Sequence, residues 1–181
     1  EISACLVGSE MCIRDSFFYT QGNALKTYAN RHGIQLVGDI PIYVSPDSSD
    51  LWTHPELFQT DGAVHLTSVA GWPPDAFAAD GQLWGNPLYD WPRHEAEDFR
   101  WWKQRIKHAT SIYDVVRIDH FRGFDSYYAI PYGRTDAREG RWRKGPGIAL
   151  FSALEEKAGV QDVGREITRL ELLTKDLQMF E

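Results

Sequence analysis

The sequence has few cysteines, an excess of acidic residues and no long apolar segment. The two cysteines, Cys5 and Cys12, lie near the start of the chain, and no Cys-x-x-Cys pair or Cys/His metal-ligand spacing occurs. The formal net charge is −7, which argues against nucleic acid as the main partner because phosphate binding needs a basic patch. No apolar run approaches the ~20 residues of a membrane span. We therefore expect no nucleic acid, no membrane, no metal and no cofactor.

The composition is that of a globular protein with an unusual number of tryptophans. Hydrophobic residues make up 43% of the 181 residues, aromatic residues make up 13%, and seven residues are tryptophan. A chain of this kind can bury a core. Tryptophan offers a flat face to sugar rings and is also an ordinary core residue, and composition alone favours the core.

The first segment, 1–16, reads "EISACLVGSEMCIRDS" and differs from a signal peptide. It lacks a positive start and a proper apolar stretch, and acidic residues interrupt it. We interpret it as a non-native leader outside the fold. The absence of cysteine from the rest of the chain fits a reducing cytoplasm, which is the location we expect.

Helical and strand patterns alternate along the remaining chain. The predicted elements are a helix at 18–31, a strand at 34–37, a loop-rich region at 45–92, a helix at 92–110, a strand at 113–118 and helices at 147–158 and 165–179. Apolar strands separated by a helix indicate a parallel α/β sheet. The connection between the two strands far exceeds one crossover unit of ~30 residues, so a long inserted loop region must follow the first strand.

Three of these elements carry specific structural expectations. The first helix places Leu25 and Tyr28 on one face and should stop at Gly33. The continuous β-branched strand at 113–118 should be buried on both faces. The helix at 92–110 is amphipathic, with an apolar face made by Phe99, Trp102, Ile106 and Ala109.

The segment "VVRIDHFRGF", 115–124, ends a strand in a dense set of charges. Side chains alternate along a strand, so Arg117 and Asp119 share one face, and Arg117 can favour the ionised form of Asp119. An ionised carboxylate held in place can attack an electrophilic carbon or stabilise an oxocarbenium-like transition state. A structural ion pair is the alternative, since such pairs also perturb carboxylates.

The segment "GQLWGNPLYDW", 81–91, carries aromatic residues between turn residues. Trp84, Tyr89 and Trp91 could stack against a sugar, and Gln82 and Asn86 could bond its hydroxyl groups. The alternative is an aromatic cluster that pins a long loop, which is the commoner role of loop tryptophans.

Four motifs, "GDIPIYV", "GQLWGNPLYDW", "VVRIDHFRGF" and "EGRWRKGPG", occur in an order and spacing that resemble the 4-α-glucanotransferases of glycoside hydrolase family 77. The resemblance covers about 17–159. It implies a fragment of a (β/α)8 TIM barrel, and retaining transfer between maltodextrins or other α-1,4-glucans that serve as donor and acceptor.

The resemblance also assigns roles to individual residues. Asp119 corresponds to the family's nucleophile, Arg117 contacts it, and His120 follows in the same motif. Asp39 of "GDIPIYV" belongs to the donor-sugar site. The segment carrying "GQLWGNPLY" covers the active-site groove, and its expected sugar contacts are Gln82, Trp84, Asn86 and Tyr89.

The chain departs from the family pattern after Gly159. The family's acid/base glutamate would fall in "QDVG", where Gln161 stands, and the nearby Glu166 does not fit the motif. A full barrel needs ~250 residues and eight strands, and we expect three of those strands in this chain. We expect 17–159 to be part of the barrel, 160–181 to be a divergent or artefactual end, and the 181 residues alone to have little or no transferase activity.

Other functions remain open on the sequence alone. An α-glucan hydrolase would use the same residues, and an α-glucan-binding piece without catalysis would need only the aromatic residues. Metal-assisted hydrolysis lacks a ligand pattern, because "HEAED" is not H-E-x-x-H. The basic stretch 138–145 could bind phosphate, although without a glycine-rich turn opening a helix a solvated loop is favoured.

Overall fold

A computed structural model describes residues 2–158 of the chain, with side chains from 12 to 155. This part of the chain is mixed α/β. In order, its helices and strands are α1 (Ile2–Arg31), β1 (Val37–Pro41), α2 (Ser49–Thr53), β2 (Ser68–Trp72), β3 (Gln82–Pro87), α3 (Trp91–Ala96), α4 (Arg100–Ile112), β4 (Val115–Asp119), β5 (Ser126–Pro131), β6 (Arg141–Lys144) and α5 (Ile148–Ala158). Short 3-10 turns cover Pro55–Leu57 and Phe121–Phe124.

The chain divides into two compact units. Unit 1 comprises Glu1–Ile40 and Ile106–Arg117, and unit 2 comprises Pro41–Arg105 and Ile118–Glu181. Two predictions, the helix at 165–179 and the glutamine at the acid/base position, fall outside the described residues. Within 2–158, no helix has both the length and the apolar character needed to cross a membrane.

Unit 1 contains α1 and most of the paired strands β1 and β4. The predicted stop of the first helix is confirmed: Gly33 has a φ of +73°, the left-handed conformation common after a helix. Asp114, at the start of the β4 segment, accepts hydrogen bonds from the Leu36 N–H and the Asn30 amide, both at 2.8 Å. These bonds, with Lys26 at 3.4 Å, lower the pKa of Asp114 and tie the helix to both strands.

Two expectations for unit 1 are wrong. The helix predicted to begin at 18 begins at Ile2, while the interpretation of 1–16 as a non-native leader stays a prediction. Leu25 and Tyr28, on the predicted face of this helix, are 60% and 64% exposed in the described chain. Strand β4 alternates between exposed and half-buried residues and is not buried on both faces. An apolar run identifies a strand, but the elements that cover its faces are set by tertiary contacts that the run does not encode.

Unit 2 contains an antiparallel four-stranded sheet in the order β3-β2-β5-β6. Two of its short strands, β2 and β3, lie in the region predicted to be loop-rich, where the sequence predicted no strand. Gly71 lies inside β2. A Cβ there would come within 2.3 Å of the Gln82 carbonyl oxygen and of Ile130, so this glycine permits close approach of neighbouring strands.

The helix predicted at 92–110 is interrupted. It forms as α3 and α4, and Asp98 and Phe99 between them have positive φ values of 54° and 50°. The burial prediction is nevertheless confirmed, because the four apolar residues of its expected face are all buried: Phe99, Trp102, Ile106 and Ala109.

The interior of unit 2 is an aromatic cluster around Tyr89. Phe58, Trp91, Trp101 and Trp102 have ring centroids between 5.0 and 5.6 Å from that of Tyr89. Aromatic pairs at this spacing add to the stabilisation from apolar burial. The cluster stabilises the segment that follows β3.

His94 is a buried titratable group of the same interior. It is 1% exposed, its Nε2 lies 3.1 Å from the Leu57 carbonyl oxygen, and its Nδ1 is buried without a partner among the described residues. Burial lowers its pKa from 6.5 to about 4. The folded state therefore holds a neutral imidazole, whereas the unfolded chain binds a proton below its ordinary pKa.

We expect His94 to make folding sensitive to acid. Its contribution is complete above its unfolded pKa of 6.5 and is lost as the pH falls toward about 4. At 1.36 kcal/mol per pKa unit, the free energy of unfolding should drop by about 3 kcal/mol over that window. Urea unfolding at several pH values measures this drop in the free energy of unfolding. The comparison protein is His94→Gln, whose side chain at this position cannot titrate. An equal pH dependence in the two proteins would contradict the prediction.

Candidate functional site

The site is built on the turn that follows β4. The strand ends at Asp119, which is exposed, and His120 adopts a left-handed conformation with φ 54° and ψ 44°. The Gly123 N–H donates to the His120 carbonyl at 3.0 Å, closing the turn. A Cβ at Gly123 would come within 2.8 Å of Ile42 and 3.2 Å of the Tyr43 hydroxyl. Glycine therefore allows this turn to pack closely on the segment after β1.

Three aromatic residues surround the His120 ring. The ring centroids of Trp84, Trp72 and Tyr43 lie 4.8, 6.0 and 6.1 Å from that of His120. The two indoles meet the imidazole edge-on. We call Tyr43, Trp72, Trp84 and His120 the aromatic enclosure. It brings together residues from four separate stretches of the chain, one of which carries His120 next to Asp119.

The enclosure changes the acid–base behaviour of His120. Burial lowers its pKa, the neighbouring Asp119 carboxylate acts in the opposite direction, and the Arg122 guanidinium lowers it further. The imidazole is therefore neutral over a wider pH range than an ordinary histidine. A neutral imidazole can accept as well as donate a hydrogen bond.

The Arg122 guanidinium lies over the rings of two indoles. Its guanidinium carbon lies 4.6 Å from the Trp142 ring centroid and 5.5 Å from that of Trp72. The two indoles meet edge-to-face at 5.4 Å. We call Arg122, Trp72 and Trp142 the arginine clamp. Trp72 belongs to both the clamp and the enclosure, so the two sets are continuous.

The segment after β6 is bonded directly to the same turn. The Gly145 N–H donates to the Asp125 carbonyl at 2.7 Å, and the Gly147 N–H donates to the Phe124 carbonyl at 2.9 Å. The motif "EGRWRKGPG" therefore supports the turn of "VVRIDHFRGF" through both its backbone and its tryptophan. The sequence favoured a solvated loop for this basic stretch. Its charged side chains are exposed, but the stretch forms β6.

Strand β3 presents two of the predicted sugar contacts to solvent. Gln82 and Trp84 are exposed, and the Trp84 Nε1–H donates to the Gln82 side-chain oxygen at 2.9 Å. Asn86 is half-buried, and its amide donates to the Val44 carbonyl at 2.9 Å. This last bond attaches β3 to the segment that follows β1.

Tyr89 requires a correction. It is 1% exposed, and its hydroxyl donates to the Ile42 carbonyl at 2.7 Å and accepts from Arg105 at 3.2 Å. A side chain enclosed in this way cannot stack on a sugar. Its contribution is to anchor the end of the β3 segment, which is the pinning role that the sequence left as an alternative.

Asp39 and Arg117 lie in unit 1, where they form an ion pair. Asp39 is in the middle of β1 and Arg117 is in β4. Both side chains are more than half exposed, and exposed pairs of this kind add little to stability. Asp39 is thus one partner of Arg117, and the predicted contact of Arg117 with the nucleophile stays a prediction.

Sequence reasoning missed four residues of the site. Three of them lie inside the motifs that carried the resemblance, so their position was a usable signal. Trp72 lies in β2 outside every motif, and nothing in its local sequence distinguishes it from a core tryptophan. The four are Tyr43, Trp72, Arg122 and Trp142.

The chain is similar to proteins of one family. The family model described as 4-alpha-glucanotransferase matches residues 11–181. The 4-alpha-glucanotransferase of Streptococcus pneumoniae serotype 4 is 52% identical over 143 residues, which are 79% of this chain and 28% of that protein. The 4-alpha-glucanotransferase of Aquifex aeolicus is 51% identical over 76% of this chain and 28% of its own length. The chain thus spans under a third of these relatives.

Solved structures agree with the sequence comparison. Amylomaltase from Streptococcus agalactiae in complex with acarbose superposes with a TM-score of 0.77 at 49% identity, covering 80% of this chain and 29% of that one. Amylomaltase from Corynebacterium glutamicum gives a TM-score of 0.66 at 21% identity over 75% of this chain and 18% of that one. The second likeness shows a shared fold.

Proposed function

Because this chain belongs to glycoside hydrolase family 77, the 4-alpha-glucanotransferases, we propose that it supplies the nucleophile and part of the glucan-binding groove of a full-length enzyme that transfers α-1,4-glucan segments between maltodextrins. The proposal rests on one observation. An exposed carboxylate at a strand end, Asp119, is followed by a turn that the aromatic enclosure surrounds.

The chemistry of these groups fits glycosyl transfer. Asp119 attacks the anomeric carbon of the donor and forms a β-linked glucosyl-enzyme, while an acid group protonates the departing oxygen. The 4-hydroxyl of an acceptor glucan, deprotonated by the same group, then displaces Asp119. Each of the two displacements inverts the configuration at the anomeric carbon, so the product keeps the α configuration of the donor. The acid/base group is not assigned to a described residue.

The other predicted site residues have separate roles in this proposal. The exposed indole of Trp84 offers a stacking face for a glucose ring. The oxygen of Gln82 is already engaged by Trp84, so we assign its –NH2 group to a sugar hydroxyl. Neutral His120 would bond a second hydroxyl. Asp39 and Arg117 are proposed to serve the donor sugar.

Transfer competes with hydrolysis, and the enclosure favours transfer. A site walled by aromatic side chains excludes water, and an acceptor held in place reacts faster than a free one. We also propose that the described residues are part of a (β/α)8 barrel, as their likeness to amylomaltases supports. The cytoplasm remains our proposed location.

Disproportionation of maltotriose by the full-length protein tests the function. We expect glucose together with maltodextrins longer than the substrate, and no requirement for added metal. Excess glucose as acceptor should increase the transfer products at the expense of net reducing-end formation. Net hydrolysis that acceptor does not suppress would identify a hydrolase, and maltodextrin binding without turnover would identify a binding protein. Either outcome would overturn the proposal.

A further inference from the structure

The arginine clamp has features that a purely structural contact does not need. Arg122 is half-buried, and its Nε is buried without a hydrogen-bond partner among the described residues. A desolvated N–H without an acceptor opposes folding. A buried and unpaired Nε–H on a half-buried arginine therefore calls for a role other than stability.

The clamp lies where it can control the turn. Arg122 is three residues after Asp119 and two after His120. Its charge acts on the His120 imidazole, and its stacking partner Trp72 also contacts the His120 ring at 6.0 Å. Arginine suits this place because its cation can lie over aromatic rings while keeping its charge.

The conformation of His120 needs external support. A non-glycine residue at φ 54° is in a sparsely populated region, and such a residue persists when its surroundings hold it. The clamp holds the turn from one side, and the Gly145 and Gly147 N–H groups hold its far end. Because Asp119 directly precedes His120, any release of the turn also moves the carboxylate.

We propose that Arg122, which lies over the rings of Trp72 and Trp142, is a positioning residue that holds the left-handed His120 turn and thereby aims the Asp119 carboxylate at the anomeric carbon. This inference rests on the proposed glucan transfer. It extends that proposal because Trp142 gives the motif "EGRWRKGPG" a part in catalysis that does not require contact with the sugar.

Two variants of Arg122 separate its charge from its stacking. In the full-length protein, Arg122→Met should lower kcat for maltotriose by about tenfold to a hundredfold, as expected for a displacement of the reacting group, and should change KM by less than about twofold. The charged groups near the imidazole are Asp119 and Arg122, with the Tyr43 phenol beside it. Removing the cation raises the pKa of His120, so the acid limb of kcat/KM should move to higher pH.

Arg122→Lys keeps the charge and loses the planar stack. It should lower kcat while leaving the acid limb in place. Trp142 is 41% exposed, so Trp142→Leu should fold and lower kcat similarly, and Trp142→Phe should restore most of it. The matched control is Arg134→Met, because Arg134 is a half-exposed arginine paired with Glu139. Wild-type kcat and pH profile in Arg122→Met and Trp142→Leu would overturn the inference.

NMR titration of the histidines in the 181-residue chain tests this inference separately from the proposed function. We expect Arg122→Met to raise the pKa of one of the six histidines, whose signal disappears in His120→Gln. An inactive wild-type enzyme with this shift would reject glucan transfer and retain the contact of Arg122 with the His120 turn. An active enzyme with no shift and no loss of kcat in Arg122→Met would reject the positioning role alone.

Discussion

Replacing Asp119 by asparagine should abolish glucan transfer by the full-length protein. The amide is nearly isosteric with the carboxylate but cannot form the covalent bond to the anomeric carbon, so both displacement steps lose their nucleophile. We expect kcat for maltotriose to fall by at least about 10⁴-fold, with maltotriose affinity within a few-fold of the wild type. The rate of product formation measures kcat, and equilibrium binding measures the affinity for maltotriose.

The control and the contrary result for this variant are both well defined. Asp80→Asn removes an exposed carboxylate that pairs with Arg138 and should leave turnover unchanged. Reaction of the wild type with a fluorinated glucosyl donor should label a peptide at Asp119. Wild-type turnover in Asp119→Asn, or a label on another residue, would reject the assignment of the nucleophile.

Gly145→Ala should damage both stability and catalysis. A Cβ at Gly145 would come within 2.2 Å of the Phe124 carbonyl oxygen and 2.9 Å of that of Gly123. These are backbone atoms of the turn, so they cannot move aside as a side chain could. We expect a loss of about 3 kcal/mol in the free energy of unfolding. Displacement of the turn should also lower kcat by about 100-fold.

Gly62→Ala is the matched control for this glycine. Nothing lies within 4 Å of a Cβ at Gly62, so the substitution should leave stability and kcat close to those of the wild type. Urea unfolding and maltotriose turnover measure the two effects. Unchanged stability in Gly145→Ala would show that the segment after β6 is not packed on the turn.

Local sequence determined the features that depend on short-range pattern. The apolar face of the helix at 92–110 followed from its three- and four-residue spacing, and its four residues are buried. Gly33 ended the first helix because glycine adopts positive φ without a Cβ penalty. The helix predicted at 147–158 forms as Ile148–Ala158. The four motifs identified the family, since their order and spacing are properties of the chain.

Tertiary structure determined the structural roles of one glycine and three aromatic residues that the sequence pattern does not distinguish. Gly71 looks like a turn residue and lies inside a strand, because a distant strand approaches it closely. Tyr89 and Trp84 lie five residues apart in one motif, yet one is 1% exposed and the other 37%. Trp72 joins the site from outside every motif. Burial and side-chain contact depend on segments that are far apart in sequence. The pattern within single segments was therefore enough to identify the family, whereas only the packing determined the positions of these residues.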